Sequence, residues 1–313
     1  MYRPNIKVFD CTIRDGGLAN NSHFELETVR AVYKACCEAG VDYIELGYRN
    51  STKMFSPQEY GLWRFCDEEV LKRVVDGIEP RDSKISIMQD SHKASVDDVP
   101  PKDKSVVDMI RVATYVKDID KAIRFANNAT DKGYQSTINI MAVSHEGSPF
   151  LDEALQQIEE ETKVLAVYVV DSFGSLYSET IHYLIEKFQM YLKTKEVGIH
   201  AHNNLQLAFA NTIEAIVLGA NLLDATMAGL GRGAGNCLME LLLGFLHNPK
   251  YDLRPVLRCV QDSIEPMRQE LGWGFDLPYM IVGQLNQHPR AAIKFNDTEP
   301  RGNIVRFYDT ASE

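Results

Sequence analysis

The sequence lacks the features that mark membrane, secreted and nucleic-acid-binding proteins. It contains no uninterrupted apolar segment long enough to cross a bilayer, and its first residues lack the apolar stretch of a secretory signal. Its 44 Asp and Glu residues outnumber its 33 Lys and Arg residues, giving a formal net charge of −11, and no basic stripe with interleaved aromatic residues offsets this charge. We therefore expect a cytoplasmic protein with neither nucleic acid nor a membrane as its partner.

The cysteines lack the spacing of a disulfide framework or a zinc cluster. None of the six forms a CxxC pair, and most of them lie in apolar patterns. We therefore predict buried, reduced thiols and nominate none of them as a nucleophile. The cysteines are Cys11, Cys36, Cys37, Cys66, Cys237 and Cys259.

Short apolar runs recur along the chain. Of its 313 residues, 45% are hydrophobic and 25% are charged, as in an ordinary globular protein. Eight segments are nearly continuous in apolar character and rich in β-branched residues, which is typical of strands covered on both faces. These predicted strands are 7–11, 43–47, 85–88, 109–113, 138–143, 164–170, 197–200 and 222–227.

Segments of helical period separate the predicted strands. In residues 26–39, Val29, Val32 and Tyr33 share one helical face. Gly40 follows as a candidate C-cap. Similar predicted helices are 121–132, 154–163, 179–193 and 205–218.

The alternation of eight strands with helices predicts the α/β class. A closed (β/α)8 barrel, the TIM barrel, accommodates eight such units in one domain, and a doubly wound open sheet is the alternative. We assign residues 1–248 to a catalytic, metal-binding barrel and residues 249–313 to a C-terminal helical extension packed on it. The catalytic residues of such barrels lie where the strands end.

Two histidines, His200 and His202, lie at the end of the seventh predicted strand. Because side chains of a strand alternate between its faces, residues two apart point the same way, and both imidazoles can reach one metal ion. Two unrelated histidines at a strand end are the alternative, since so short a motif depends on its context.

Other polar side chains recur at the ends of the predicted strands, which would gather them at one mouth of the barrel. A structural role, in which Asp10, Glu45 and Asp90 satisfy backbone or arginine groups, is the alternative for part of this set. The set comprises Asp10, Arg14, Asp15, Glu45, Tyr48, Arg49, Gln89, Asp90, Ser144, His145, Asp171, Ser172, His200 and His202.

A glycine-rich segment, residues 228–236, follows the eighth predicted strand. Residues 229–234 (GLGRGA) fit the loose G-x-G-x-x-G/A pattern of dinucleotide-binding proteins. A dinucleotide site also needs an acidic residue at the end of the next strand, about 20 residues on, whereas this chain enters a predicted helix start at 252–258. We therefore expect no dinucleotide cofactor and interpret the glycines as a tight loop whose backbone approaches a ligand.

Four segments together resemble the DRE-TIM metallolyases, the HMGL-like superfamily, and within it the barrel of the 4-hydroxy-2-oxovalerate aldolases. Residues 10–16 (DCTIRDG) are similar to the first-strand signature. Residues 167–172 (VYVVDS) are similar to the sixth strand and residues 198–205 (GIHAHNNL) to the seventh. Residues 228–236 are similar to the eighth loop, and the likeness covers residues 6–245.

The resemblance implies a divalent metal ion bound by Asp15, His200 and His202, with Asn236 as a further ligand or a neighbour of the ligands. One carboxylate and two neutral imidazoles leave coordination positions for the carboxylate and keto oxygens of a 2-oxo acid. Such ligands suit Mn²⁺ or Mg²⁺ and also permit Zn²⁺ or Co²⁺. Arg14 would lie beside this ion.

The implied reaction is cleavage or formation of a carbon–carbon bond through the enolate of pyruvate or a similar 2-oxo acid, with a 4-hydroxy-2-oxo acid as substrate. The metal ion and Arg14 would stabilise the negative charge that develops on the keto oxygen. We expect a further set of residues to bind the substrate. These residues are Asp171, Ser172, Gly231 and Arg232.

One position departs from the resembling aldolases, which carry a histidine two residues beyond the glycine of their Arg-Asp-Gly sequence as the base for the substrate hydroxyl. Leu18 occupies that position here. Leucine cannot transfer a proton, so that the base must come from elsewhere or the substrate must differ. Our candidates for the base are His23, Tyr48 and His145, with Tyr279, Gln287 and His288 in the tail.

Two alternative functions also fit these residues. A Claisen-type acyl-CoA synthase or lyase shares the Arg-Asp-Gly pattern, but the eighth loop lacks the cysteine-containing insertion of the acyl-CoA lyases, and Cys237 falls after Asn236. A barrel that binds a metal ion and a 2-oxo acid without turnover is the second alternative, which Leu18 supports.

The tail carries two amphipathic segments, 256–271 and 278–285, followed by a polar end at 297–313. Their apolar faces suggest a homodimer. The resemblance suggests instead a complex with an aldehyde-consuming dehydrogenase, since a C-terminal helical region of the resembling aldolases joins such a partner.

Overall fold

A computed structural model of the chain describes residues 3–298 and 302–313. Residues 1–2 and 299–301, which fall inside the two predicted domain ranges, lie outside the described residues. None of the helices in the described part of the chain has the length and apolar character that a membrane crossing requires.

Eight parallel strands close into a barrel in their sequence order, with β1 paired to β8. The predicted TIM barrel is therefore confirmed, and the open sheet is excluded by the closing pair Asp10 and Ala225. Strands β2, β4, β6 and β8 are buried along their whole length. In β1, β3, β5 and β7, every residue except the first is buried. The strands are β1 Lys7–Asp10, β2 Tyr43–Tyr48, β3 Lys84–Asp90, β4 Met109–Thr114, β5 Gln135–Ile140, β6 Ala166–Asp171, β7 Glu196–Ala201 and β8 Leu222–Ala225.

Helices surround the barrel and bury the apolar faces that the sequence pattern predicts. In α2, Val29, Val32 and Tyr33 are buried, and the helix ends at Gly40, whose φ of 75° is left-handed, as expected of a C-cap glycine. The helices that follow or precede the strands are α1 Thr12–Gly16, α2 Leu26–Ala39, α3 Glu68–Val75, α4 Ile119–Asp131, α5 Ser148–Glu161, α6 Ser178–Tyr191, α7 Ala208–Leu218 and α8 Met239–Leu246.

The fifth strand lies three residues earlier than its predicted start. The predicted strand included residues 141–143 because they are apolar, but β5 ends at Ile140. The chain then turns at Ala142, whose φ is 52°, and Val143 packs into the core from a short 3₁₀ turn. An apolar loop that is buried cannot be told from a strand by hydrophobicity alone.

The tail forms helices, and part of it lies at the C-terminal end of the barrel. Asn204 beyond β7 donates a hydrogen bond from Nδ2 to the Tyr279 carbonyl at 3.0 Å, which fastens the tail to this end. The predicted polar end contains a helix, and Phe307 in it packs against a cluster that includes Tyr279. The helices are α9 Leu253–Cys259, α10 Arg268–Leu271, α11 Leu277–Gln284, α12 Arg290–Thr298 and α13 Ile304–Ser312.

All six cysteines are free and buried, as their apolar surroundings predict. Burial raises the pKa of the thiols of Cys66, Cys237 and Cys259 to about 12. These three thiols therefore remain protonated at neutral pH, which argues against a nucleophilic role for them.

Candidate metal centre

Three predicted ligands meet at the C-terminal mouth of the barrel. Asp15 lies on α1 directly after β1, His200 lies on β7, and His202 follows β7. Their ligand atoms all lie within 4.8 Å of one another. The Nε2 atoms of His200 and His202 are 3.3 and 3.5 Å from Oδ2 of Asp15. Segments far apart in the chain thus converge on one point.

The far nitrogen of each imidazole is held by the protein. Nδ1 of His200 is 2.9 Å from Oδ2 of Asp224, and Nδ1 of His202 is 2.8 Å from the carbonyl oxygen of Asp171. An imidazole that donates from Nδ1 in its neutral form keeps its lone pair on Nε2. Both rings are therefore oriented so that Nε2 can bind an ion beside Asp15.

Asn236, which forms an isolated β-bridge with His202, offers a fourth candidate ligand. Its Nδ2 donates to the Leu230 carbonyl at 3.1 Å. This hydrogen bond leaves Oδ1 as the free end of the amide, buried and without a hydrogen-bond partner among the described residues. The amide is therefore oriented as a metal ligand would be.

Five buried ligand atoms of these four residues make no hydrogen bond within the described part of the chain. Buried polar atoms are ordinarily hydrogen-bonded. A group of buried oxygen and nitrogen atoms that lack hydrogen bonds therefore fits a site for a divalent metal ion. These atoms are Oδ1 and Oδ2 of Asp15, Nε2 of His200, Nε2 of His202 and Oδ1 of Asn236.

A buried network of charges lies beneath this centre. Arg14 donates from Nε to Glu45 at 2.7 Å. Arg111 on β4 bridges Glu45, at 2.9 Å, and Asp224, at 2.7 Å. Since Asp224 in turn holds His200, the network connects the arginine at the mouth with a ligand histidine through the barrel interior.

Arg111 is fully buried between two aromatic rings. Its guanidinium carbon lies 4.8 Å from the ring centroid of Phe9 and 4.4 Å from that of Tyr168. Buried charges need partners and hydrogen bonds, and this arginine has both. Sequence reasoning missed Arg111 and Asp224, although a charged residue inside an apolar strand run was the available signal.

The network sets the protonation of the centre. Burial acts to raise the pKa of Asp15, but the Arg14 guanidinium and the two imidazoles hold it well below its usual range. Burial likewise opposes the ionisation of Asp224, yet Arg111 and His200 lower its pKa to about 2. Both carboxylates are therefore ionised at neutral pH, as metal binding and imidazole orientation require.

A second group, Cys11, His200 and Asp224, also lies close enough to hold an ion. Burial raises the pKa of the Cys11 thiol well above its usual value, and Asp224 already pairs with Arg111. A protonated thiol is a poor ligand. The Asp15 group is therefore the better metal site.

A cavity of about 170 Å³ opens above the candidate ligands. Leu18 lines it and packs against Tyr48, Met88 and Ala113 in an apolar cluster. Leu18, which stands where the resembling aldolases carry a histidine, thus forms part of an apolar wall. Other lining residues include Arg14, Asp15, His200, His202, Ser172, Arg232 and His288.

The four predicted substrate-binding residues differ in their placement. Ser172 and Arg232 line the cavity. Gly231 lies against Asn236, because a Cβ atom there would come within 2.2 Å of Nδ2 of that residue. The carboxylate of Asp171 accepts backbone hydrogen bonds from Ser175 and Leu176, and only its carbonyl reaches the centre, through His202.

The predicted bases are also placed differently. Tyr48 lines the cavity. His23 and His145 are exposed, do not line it, and lie with Nε2 at 3.1 and 2.7 Å from the carbonyl oxygens of Glu59 and Asn286. The structure thus brings one of these three side chains to the candidate site.

His288 lies in the tail, just before α12, and lines the cavity. Burial and the positive charges of Arg232 and Arg290 lower its pKa to about 4. Its Nδ1 accepts a hydrogen bond from the Arg290 backbone N–H at 3.1 Å. The ring is therefore neutral at neutral pH and carries its proton on Nε2.

The chain is similar to known proteins over most of its length. Residues 5–258 match the HMGL-like family model. A 4-hydroxy-2-oxovalerate aldolase from Pelotomaculum thermopropionicum is 31% identical, over 84% of this chain and 77% of its own. An oxaloacetate decarboxylase from Mycobacterium tuberculosis is 30% identical, over 76% of this chain and 69% of its own.

A solved structure shows the same fold. The N-terminal domain of a candidate aldolase from Bacteroides vulgatus is 32% identical and superposes with a TM-score of 0.83, over 96% of this chain and 99% of that domain. The family match covers the barrel with all four candidate metal ligands. This chain therefore belongs to the HMGL-like family and is an enzyme of the carbon–carbon lyase class.

Proposed function

We propose that this enzyme is a divalent-metal-dependent aldolase that cleaves or forms a carbon–carbon bond of a 4-hydroxy-2-oxo acid through the enolate of pyruvate. The observation that carries the proposal is the convergence of orphaned ligand atoms from Asp15, His200 and His202, with Asn236 bridged to His202 and Arg14 beside Asp15. The names of the aldolase relatives support it.

The metal chemistry would come from an ion held by these four residues, with Mn²⁺ or Mg²⁺ as the best fit to their mixed oxygen and nitrogen ligands. When bound, it would supply positive charge to the carboxylate and keto oxygens of the 2-oxo acid. Asp15, His200 and His202 line the cavity, so that a substrate in the cavity could reach an ion bound by them.

Arg14 stabilises the negative charge that develops on the keto oxygen. Glu45 fixes its Nε, and its Nη1 lies 3.6 Å from Oδ1 of Asp15. A guanidinium held in this way need not reorganise as the enolate forms, so that it stabilises the enolate more than the ground state.

Cleavage also requires proton transfer. The C3–C4 bond breaks, the 4-hydroxyl loses its proton, the bond electrons pass to the keto oxygen, and C3 later takes up a proton. Leu18 cannot take part. Tyr48 lines the cavity, and its hydroxyl can accept the proton of the 4-hydroxyl while it donates its own to solvent, from which C3 later takes up its proton. We therefore assign the transfer to Tyr48. Nε2–H of His288 is oriented as a donor to a substrate oxygen.

Decarboxylation of a 2-oxo acid with a carboxylate at C3, such as oxaloacetate, is a second candidate that Leu18 favours. In that reaction the bond to the departing carboxylate breaks, CO₂ leaves, and the electrons pass to the same keto oxygen. No hydroxyl proton has to be removed, so that a leucine at this position is no obstacle. The name of the mycobacterial relative agrees with this candidate.

Pyruvate release tests the proposal. Metal-loaded enzyme is supplied with 4-hydroxy-2-oxovalerate, oxaloacetate or an acyl-CoA with a 2-oxo acid, and pyruvate is coupled to lactate dehydrogenase and NADH, or free CoA is measured. We expect pyruvate from the hydroxy acid, and none from the Asp15→Asn variant. Pyruvate from oxaloacetate alone would favour the decarboxylase, free CoA alone would favour a Claisen-type enzyme, and no product with metal bound would favour a non-catalytic barrel.

A further inference from the structure

Arg64 is a buried cation that has no acidic partner among the described residues. It is 6% exposed and lines the cavity from the segment between β2 and α3. Its guanidinium carbon lies 4.8, 5.2 and 5.1 Å from the ring centroids of Tyr48, Phe55 and Tyr60. Its side chain makes no hydrogen bond or ion pair within residues 3–298 and 302–313, and its Nε is buried. A buried guanidinium in this state needs an anion.

Asn50 lies next to Arg64 and is equally unsatisfied. Its backbone N–H donates to the Arg64 carbonyl at 3.2 Å, and the residue is 4% exposed. Both Nδ2 and Oδ1 of its side chain are buried without a hydrogen-bond partner in the described part of the chain. It lines the same cavity as Arg64. A polar ligand there would satisfy both side chains at once.

The cavity as a whole favours anions, although the protein is acidic. Five basic side chains line it against two acidic ones, while the formal net charge of the chain is −11. Arg14 and Lys93 are paired with carboxylates. The other three have no ion-pair partner among the described residues, and Arg64 is the buried one of the three. They are Arg64, Arg232 and Arg290.

We propose that Arg64 and Asn50 form a second anion subsite in the cavity, which binds a carboxylate on the half of the substrate that is not pyruvate. The inference rests on the proposed function and makes dicarboxylic 2-oxo acids the preferred substrates over monocarboxylic ones such as 4-hydroxy-2-oxovalerate. The ring of Tyr48 lies under Arg64 and also packs with Leu18 and Met88, so that an apolar wall adjoins the subsite.

The geometry of Arg64 suits a carboxylate. Aromatic rings hold the planar guanidinium, which leaves the N–H groups at its edge to form two parallel hydrogen bonds with one carboxylate. Nδ2 of Asn50 adds a further donor, and its Oδ1 can accept from a substrate hydroxyl. The carboxylate and keto group at the other end of the same molecule would face Arg14 and the candidate metal ligands.

Binding of unreactive analogues tests the subsite. Calorimetric titrations in the presence of Mn²⁺ compare 2-oxoglutarate and 2-oxoadipate with 2-oxovalerate and 2-oxohexanoate, which have the same chain lengths and a methyl group in place of the second carboxylate. We expect the better dicarboxylate to bind about 10- to 100-fold more tightly, as hydrogen bonds to a charged group imply. Equal affinity within both pairs would overturn the proposal.

Three variants test which side chains cause the preference for dicarboxylates. Arg64→Met should remove it and leave the affinity for the monocarboxylates unchanged, whereas Arg290→Gln, at an exposed arginine of the same lining, should retain it. Asn50→Asp is nearly isosteric and should also remove the preference, which keeps the test valid if Arg64→Met does not fold. A preference that survives in Asn50→Asp or in a folded Arg64→Met would contradict the subsite.

The test separates this proposal from the proposed function. Binding of the analogues needs no turnover, so that a dicarboxylate preference in an enzyme that releases no pyruvate would leave the subsite intact and reject the aldolase. Conversely, pyruvate release without any preference would reject the subsite alone.

Discussion

Asp224 accepts a hydrogen bond from Nδ1 of His200 over 2.9 Å, and this contact connects the candidate metal centre with the buried charges of the barrel. Asp224 is itself fixed by Arg111, whose Nη2 donates to both oxygens of its carboxylate, at 3.0 and 2.7 Å. The orientation of one ligand therefore depends on a residue of β4 that never touches the ion.

Replacement of Asp224 by Asn should weaken Mn²⁺ binding by about 10- to 100-fold, because the amide cannot hold His200 in the same way. A titration followed by calorimetry measures the change. Asp42→Asn is the matched control, since Asp42 is also buried but lies at the opposite end of the barrel, where it accepts from the Val8 backbone. Similar metal affinity in both variants would contradict the role of Asp224.

The Arg14→Ala variant should lose turnover by about 10²- to 10³-fold, as the removal of a group that stabilises an oxyanion does. Metal affinity should fall far less, because Arg14 lies beside the ligands and is not one of them. Steady-state kinetics and a Mn²⁺ titration on the same preparation give the two values. Equal losses of turnover and of metal affinity would show that Arg14 acts only through the shape of the site.

Gly231→Ala should displace Asn236. The added Cβ would lie 2.2 Å from Nδ2 of Asn236, which cannot be accommodated unless that side chain moves. We expect weaker metal binding, measured by titration, and a lower melting temperature. Gly244→Ala in α8 is the control, because its Cβ would meet no atom within 4 Å and alanine favours helices. An unchanged metal affinity in Gly231→Ala would contradict the proposed role of Asn236.

Asp10 should make the free energy of unfolding fall as pH rises from about 4 to 7. Burial raises its pKa to about 7, although Thr12 hydrogen-bonds to the carboxylate, whereas an unfolded Asp titrates near 3.9. Between these values the folded state holds a proton that the unfolded state has lost, so that stability decreases with rising pH. Urea unfolding across this range measures the slope.

The Asp10→Asn variant should make this pH slope less negative, because its amide does not ionise. Asp97→Asn, at an exposed position, serves as the control and should leave the slope as it is in the parent protein. A slope that is the same in Asp10→Asn as in the parent would mean that Asp10 is ionised in the folded state at low pH.

The residues that the sequence predicted at the site are those whose position follows from local periodicity. His200 and His202 share a face because strands alternate, and Asp15 follows β1 at the same end of the barrel. The partners of Arg111 depend instead on closure of the barrel, which brings side chains of β2, β4 and β8 together in its interior. Local patterns carry no information about such contacts.

Two further residues show where periodicity fails. His145 was placed at a strand end because the apolar run continued to residue 143, but the strand ends at Ile140, and the turn at Ala142 leads the chain outwards. Arg64 lies in a loop that folds back over the mouth, where a Cβ on Gly61 would meet the Ser22 carbonyl oxygen. The path of such a loop is set by tertiary contacts that no short motif describes.

Exchange of the methyl protons of pyruvate in D₂O tests the central claim most directly, because it requires only the enolate. Metal-loaded enzyme is incubated with pyruvate in the absence of any aldehyde, and the methyl signal is followed by proton NMR. We predict loss of the signal with the parent protein and none with Asp15→Asn. A methyl signal that persists in the parent protein with a full complement of Mn²⁺ bound would contradict enolate formation at this centre.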